Sequence, residues 1–154
     1  MNRAELKEHM TYLVPRIKLA LIRENDMEPV PIVIPTDLEP FLLPLRTAAE
    51  EYFIAFHLDV HNRVIGYAEI SHGTVSASLV HPREVFKGAL LSNANSIVVA
   101  HNHPGGSNVP SDHDLQTTVQ LVKAGNILGI KLLDHLIVTH KELVSLRESY
   151  EHLF

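Results

Sequence analysis

The sequence predicts an α/β sandwich built on a mixed sheet, and two observations lead there. Three strand-like segments follow one another between residues 52 and 80, and from residue 82 onward helical and strand spacing alternate. A run of strands followed by helix–strand alternation lays helices over a sheet with both parallel and antiparallel neighbours. The chain has 154 residues, 45% of them hydrophobic and 20% charged, which suits one domain with one core.

Taken in order, the N-terminal MNRAELKEHM lacks the long apolar run of a signal peptide. Residues 11–24 alternate as a strand would, with Ile17, Leu19 and Leu21 on one face and Pro15 placing its start on an edge. Pro29, Pro31 and Pro35 make residues 25–35 an extended loop. Thr36 with Glu39 has the spacing of a capping box opening a helix towards Glu50, delayed or kinked by Pro40 and Pro44. YFIAFHLD (52–59) and RVIGYAEIS (63–71) read as a hairpin joined through Val60-His61-Asn62, and TVSASLV (74–80) as a third strand.

Pro82 suits a first helical position. Val85, Phe86, Ala89 and Leu90 follow at helical spacing, and Asn93 and Asn95 end the segment. SIVVA (96–100) is a fully apolar strand of the kind buried on both faces. After a loop with Gly105, Gly106 and Pro110, Ser111 opens an amphipathic helix carrying Leu115, Val119 and Val122, closed by Gly125. KLLDHLIVT (131–139) and residues 143–146 complete the strands.

Composition excludes several function classes. With no cysteine there is no disulfide and no thiolate metal site, which fits a cytoplasmic protein. Any metal must therefore be held by histidine and carboxylate. No stretch approaches the roughly 20 apolar residues that cross a bilayer. The formal charge of −5 and the absence of a Lys/Arg cluster disfavour nucleic acid as a partner.

The informative segment runs from Ala100 to Asp114, AHNHPGGSNVPSDHD. His101 and His103 stand two apart where a buried strand ends, so their side chains point the same way. Asp114 falls in the first turn of the next helix, and the Gly/Pro loop lets that helix fold back over the strand end. Two histidines, one carboxylate and an open fourth position describe a catalytic rather than a structural zinc site. With eleven histidines, chance yields about 0.8 His-x-His pairs per chain; requiring the serine and aspartate as well lowers this to about 0.002.

His101-x-His103-x7-Ser111-x2-Asp114 resembles the signature of the JAMM/MPN+ zinc metalloproteases without a gap. LVHPREVFKGAL (79–90), SIVVAHNHPGG (96–106) and LGIKLLDHLIV (128–138) are similar to blocks of the bacterial RadC family. The resemblance spans roughly residues 12–147, with Gly105 where that family has serine and Ser107 where it has aspartate. It implies a three-layer α/β/α sandwich, similar to that of cytidine deaminases, as one domain over residues 1–154. The helix-hairpin-helix region that often precedes such a domain is not expected within residues 1–154. It further implies Zn²⁺ on His101, His103, Asp114 and water, with Glu51 as general base and Ser111 as oxyanion donor. Glu51 follows from matching Glu51-Tyr52-Phe53…Leu58-Asp59 to the family's block, and Glu50 is the competing choice.

Each residue also has a plainer reading. Ser111-x-x-Asp114 is equally a helix cap, and Glu51 a solvated charge. His113 faces solvent on this reading, and Asn102, pointing away from the metal, fixes loop backbone. Asp134 and His135 lie on opposite faces of a strand, where one could support a zinc histidine and either could be a satisfied buried group. His81-Pro82-Arg83-Glu84 begins a helix, with substrate orientation by Arg83 the lesser option.

The leading expectation is a hydrolase acting on an amide bond of a protein or peptide substrate. The alternative is a DNA-repair or DNA-processing accessory factor of RadC type without peptidase activity. An HNH nuclease would spread its three residues through a ββα unit, and a barrel amidohydrolase needs about 250 residues. A scaffold that has lost its ligands does not fit a chain that keeps them. Strand edges and the Pro-rich segment offer surfaces for a homodimer, a state the sequence leaves open.

Overall fold

A computed structural model describes residues 2–13, 22, 24, 28–73 and 80–154. Six strands form one mixed sheet in the order β1 (Val30–Pro31), β3 (Arg63–Gly73), β2 (Glu51–Leu58), β4 (Ser96–Asn102), β5 (Lys131–Val138), β6 (Leu143–Ser145). Among the described residues only β4 and β5 run parallel, and every other neighbouring pair is antiparallel. The parallel pair is joined by helix α4 (Asp112–Leu128), the crossover that a parallel connection needs.

Alternation along the strands supplies both faces of the sheet. Phe53, Ala55, Ile97 and Val99 pack against Val85, Phe86 and Ala89 of α3 (Pro82–Leu91) and Leu121 of α4. Phe56, Leu58, Val98, Ala100 and Leu136 pack on the opposite side beneath Leu38, Leu42 and Leu45. The result is the three-layer α/β/α arrangement. Among the described residues, no helix is long and apolar enough to cross a membrane.

Several elements differ from the sequence expectation. Residues 11–13 close helix α1 (Arg3–Leu13) rather than opening a strand; the rest of that expected strand, Ile22 and Glu24 apart, and residues 74–79 of the third strand lie outside the described residues. Asn2 starts α1, its Oδ1 accepting Ala4 and Glu5 N–H at 2.9 and 3.0 Å, and good helix formers continue it. No continuous helix reaches Glu50. Instead a 3-10 turn (Pro35–Leu38), one α-helical turn α2 (Glu39–Leu42) and a second 3-10 turn (Leu43–Thr47) follow one another. Pro40 and Pro44 each lack the N–H that a longer ladder requires. The box residue is Asp37, whose Oδ2 accepts Val33 and Ile34 N–H at 2.7 and 2.9 Å; Glu39 pairs with Arg46.

The hairpin between β2 and β3 turns where expected, on Asp59, whose Oδ1 accepts His61 and Arg63 N–H at 2.8 and 3.0 Å. Leu90 faces solvent rather than the core, at 51% exposure. Helix α4 passes through Gly125 and ends at Gly129, in the left-handed region at φ 72°. Its buried stripe is Thr117, Thr118, Leu121 and Gly125, with Leu115, Val119 and Val122 only half-buried. Gly125 is there for contact: a Cβ would meet the carbonyl of Ile130 and stand 3.2 Å from Phe86 Cζ. The segment after β5 gives β6 and then α5 (Leu146–Ser149), capped by Ser145 accepting Glu148 N–H at 3.1 Å.

Candidate metal centre

β4 runs two residues past the expected apolar stretch, and those two residues begin the site. His101 pairs in register with Phe53 of β2 and Ile137 of β5, on the same face as Ile97 and Val99. Its ring stacks on Phe53 at 6.0 Å between centroids and 9° between planes, which fixes its tilt. Asn102 turns to the other face. Its Oδ1 accepts Tyr52 N–H at 2.7 Å and its Nδ2 donates to the Glu50 carbonyl at 3.0 Å. It therefore grips the backbone on both sides of Glu51, rather than the loop expected from sequence.

The loop that follows is anchored by His103 N–H on the Val138 carbonyl and Gly106 N–H on the His103 carbonyl, both at 2.9 Å. Gly106 adopts φ 78° against the ring of His140, where a side chain would collide. The loop delivers Ser111 as N-cap of α4. Ser111 Oγ accepts Asp114 N–H at 3.1 Å and donates to Asp114 Oδ2 at 2.7 Å, and Ser111 N–H reaches the same oxygen at 2.7 Å. The expected cap is thus present, and its carboxylate is the one the motif assigns to the metal.

Three donors converge. His101 Nε2 lies 2.9 Å from His103 Nε2 and 3.2 Å from Asp114 Oδ1, and His103 Nε2 lies 3.4 Å from Asp114 Oδ2. Tetrahedral ligands on bonds of about 2.0 Å stand about 3.3 Å apart, so this spacing fits a small cation. His103 Nδ1 meets the Ser107 carbonyl at 2.7 Å, an oxygen without a proton, so Nδ1 carries a hydrogen and the neutral ring has its lone pair on Nε2. Two imidazole nitrogens and a carboxylate make a donor set that could hold a divalent metal ion.

Electrostatics make the cluster a favourable place for positive charge. Burial opposes ionisation of Asp114, yet its contacts with the rings of His101 and His103 outweigh it and hold the carboxyl well below the usual range. The hydrogen bond to Asp114 raises His103, with the charge of Glu51 adding to it. Burial pushes His135 well down, and this ring is fully buried behind His101, its Nε2 2.8 Å from His101 Nδ1.

A cavity of about 70 Å³ opens beside the donors, lined among others by Glu51, Phe53, His101, His113, Asp114 and Thr117. Glu51 stands at the first position of β2 on this wall, whereas Glu50 points to His72 at 3.4 Å. His113 is exposed yet also lines the cavity, more than the sequence suggested. Asp134 takes no part: its carboxylate accepts His135 and Arg147 N–H and the Ser145 hydroxyl, tying β5 to β6 and α5. His81 is the N-cap of α3, and Arg83 and Glu84 are exposed in its first turn. Thr118 went unnoticed in the sequence; its place four residues after Asp114, on the same helix face, is the signal that finds it.

The family model described as RadC-like JAB domain matches residues 34–152. The chain belongs to the RadC-like JAB domain family. The match begins later than the resemblance from about residue 12. Curated relatives agree. A UPF0758 protein of Finegoldia magna is 49% identical over 110 residues, covering 71% of this chain and 49% of the relative. One from Caldanaerobacter subterraneus subsp. tengcongensis is 44% identical over 118 residues, covering 76% and 51%. One from Methanosarcina acetivorans is 42% identical over 118 residues, covering 76% and 52%. The chain spans about half the length of these relatives, whose names state no activity. The His101–His103–Asp114 cluster lies inside the matched domain and could bind a metal ion.

Proposed function

We propose that this RadC-like JAB domain is a zinc-dependent hydrolase cleaving an amide bond in a protein or peptide. The observation that carries the reading is the donor set beside a cavity: Nε2 of His101 and Nε2 of His103 stand 2.9 Å apart, and the Asp114 carboxylate faces them with Oδ1 3.2 Å from His101 and Oδ2 3.4 Å from His103. Three protein ligands leave a fourth position for water or substrate. Zinc, when bound, lowers the pKa of its water to about 7 and polarises a carbonyl.

The chain's own residues do the rest. Glu51, on the cavity wall, accepts the proton of the attacking water and passes it to the leaving amine. Ser111 turns its hydroxyl proton from Asp114 to the oxyanion of the tetrahedral intermediate. Asn102 fixes the backbone that carries Glu51. A net charge of −5 gives little support to the other reading, a DNA-processing accessory role.

The test compares the full chain with His103→Ala and Glu51→Gln for zinc content and for cleavage of a peptide library. The expected result is zinc in wild type and Glu51→Gln but not in His103→Ala, with cleavage by wild type alone. Cleavage persisting in both variants refutes the proposal. A salt-sensitive shift of labelled DNA without cleavage would favour the accessory role.

A further inference from the structure

Behind the two histidines a chain of hydrogen bonds can be followed proton by proton. Thr118 Oγ1 lies 2.7 Å from the Asp114 carbonyl oxygen. Two oxygens at that distance need a proton between them, and only the hydroxyl has one. Thr118 therefore donates to Asp114 and meets His135 Nδ1, also at 2.7 Å, only as an acceptor. His135 must carry its hydrogen on Nδ1. The ring is fully buried, with His101 and Thr118 at its two nitrogens, and a neutral imidazole has one N–H. Its Nε2 is then a bare acceptor, and the 2.8 Å contact with His101 Nδ1 assigns the next hydrogen to His101.

We propose that His135, set by Thr118, is a positioning residue that holds His101 in its Nδ1–H form and so presents the Nε2 lone pair of His101 to the cation position. The claim deepens the metal-site reading and rests on it for its purpose, though not for its geometry. The chain closes on itself. It begins at the backbone of Asp114 in α4, passes through Thr118 and His135, and ends at His101 in β4. The outer side chains of its two ends, His101 Nε2 and Asp114 Oδ1, meet again at 3.2 Å. One buried ring thereby sets both the orientation of a strand ligand and its offset from a helix ligand. His103 needs no such partner, since its Nδ1 uses the Ser107 carbonyl of its own loop.

The assay is histidine ring ¹⁵N–¹H correlation on the full chain, metal-free and with one equivalent of zinc, together with zinc affinity by competition with a chromophoric chelator. The expected spectrum has His135 protonated on Nδ1 in both states and His101 protonated on Nδ1 when zinc is bound. Thr118→Val removes the acceptor. It should shift the His135 pattern and weaken zinc binding about 10- to 100-fold, the usual effect of losing an outer partner of a metal histidine. Thr118→Ser should restore both. A purely structural role for Thr118 would leave the ring pattern unmoved. His135 protonated on Nε2 in wild type, or Thr118→Val binding zinc as tightly as wild type, overturns the proposal. If wild type takes up no zinc but shows the expected His135 pattern, the hydrogen-bond chain stands and the metal reading falls. If zinc binds with the opposite pattern, the metal reading stands and this inference falls.

Discussion

Replacing Asn102 tests whether the start of β2, and with it Glu51, is held from β4. Only one orientation of the amide satisfies both neighbours, since Tyr52 N–H must find an acceptor and the Glu50 carbonyl a donor. Asn102→Ala removes both bonds and opens a space beside two backbone groups. Each neutral bond is worth about 1 kcal/mol net, and more where the partner left behind stays dry. Asn102 is 1% exposed, so we expect a loss of about 2–4 kcal/mol. Asn102→Asp is the sharper variant. It keeps the acceptor for Tyr52 but sets a buried carboxylate against the Glu50 carbonyl, so it should be at least as damaging despite its near-identical shape. Urea unfolding at pH 7 reads the stability change through the midpoint at constant slope. On the proposed function, peptide cleavage at saturating zinc should fall in both variants, because Glu51 loses its fixed position while His101, His103 and Asp114 remain. The reasoning is refuted if Asn102→Asp is as stable as wild type, or if Asn102→Ala shifts stability by less than about 0.5 kcal/mol.

Two further outcomes follow from groups outside the site. His57 is buried at 4% exposure, and burial lowers its pKa to about 4 from an ordinary 6.5. The folded state keeps it neutral while the unfolded chain takes up a proton below 6.5. The stability contribution is therefore complete above pH 6.5 and is lost as pH falls to about 4, a span worth about 3 kcal/mol. Denaturant titrations at pH 7, 5.5 and 4 should show a shallower decline in His57→Gln; parallel slopes would discount the burial effect. Gly125→Ala improves helix propensity by about 1 kcal/mol, yet its methyl would meet the Ile130 carbonyl. Because Ile130 N–H is bonded back to the Gly125 carbonyl at 2.9 Å, the turn cannot easily give way. A net loss of about 1–2 kcal/mol is expected in thermal unfolding, and a gain in melting temperature would contradict it.

The His101–His103–Asp114 cluster is more legible in the sequence than the boundaries of the elements around it. A motif of four residues is local: the end of β4 sets His103 two residues beyond His101, and the cap at Ser111 places Asp114 in the first turn of α4. Where sequence reasoning failed, the deciding contact was distant. Gly125 looks like a helix end until Ile130 is seen packed on it. Leu115, Val119 and Val122 look like the buried face, but Thr117, Thr118 and Leu121 win because His135 and the sheet lie on that side. The prolines at 40 and 44 announced an interrupted helix, without showing that three short turns would still bury Leu38, Leu42 and Leu45 as one layer. Pattern alone favours Glu51 over Glu50 in the sequence; in the structure Glu51 lines the cavity between two backbone groups held by Asn102, and Glu50 faces His72.

On the proposed function, Ser111 would combine capping and chemistry in one side chain. As a cap it uses a lone pair, accepting the N–H of Asp114. As an oxyanion donor it would use its proton, which here rests on Asp114 Oδ2. These are different parts of the same hydroxyl, so rotation of one hydrogen separates the two states without uncapping α4. Asp114 is not stranded by that rotation, because Ser111 N–H still reaches the same carboxylate oxygen at 2.7 Å. The redundancy of backbone and hydroxyl donors on one oxygen is more than a cap requires, and it leaves the proton free for other use. A threonine keeps the lone pair and the proton, an alanine neither. A capping aspartate keeps the lone pair, but as a second carboxylate beside Asp114 it supplies no proton at neutral pH.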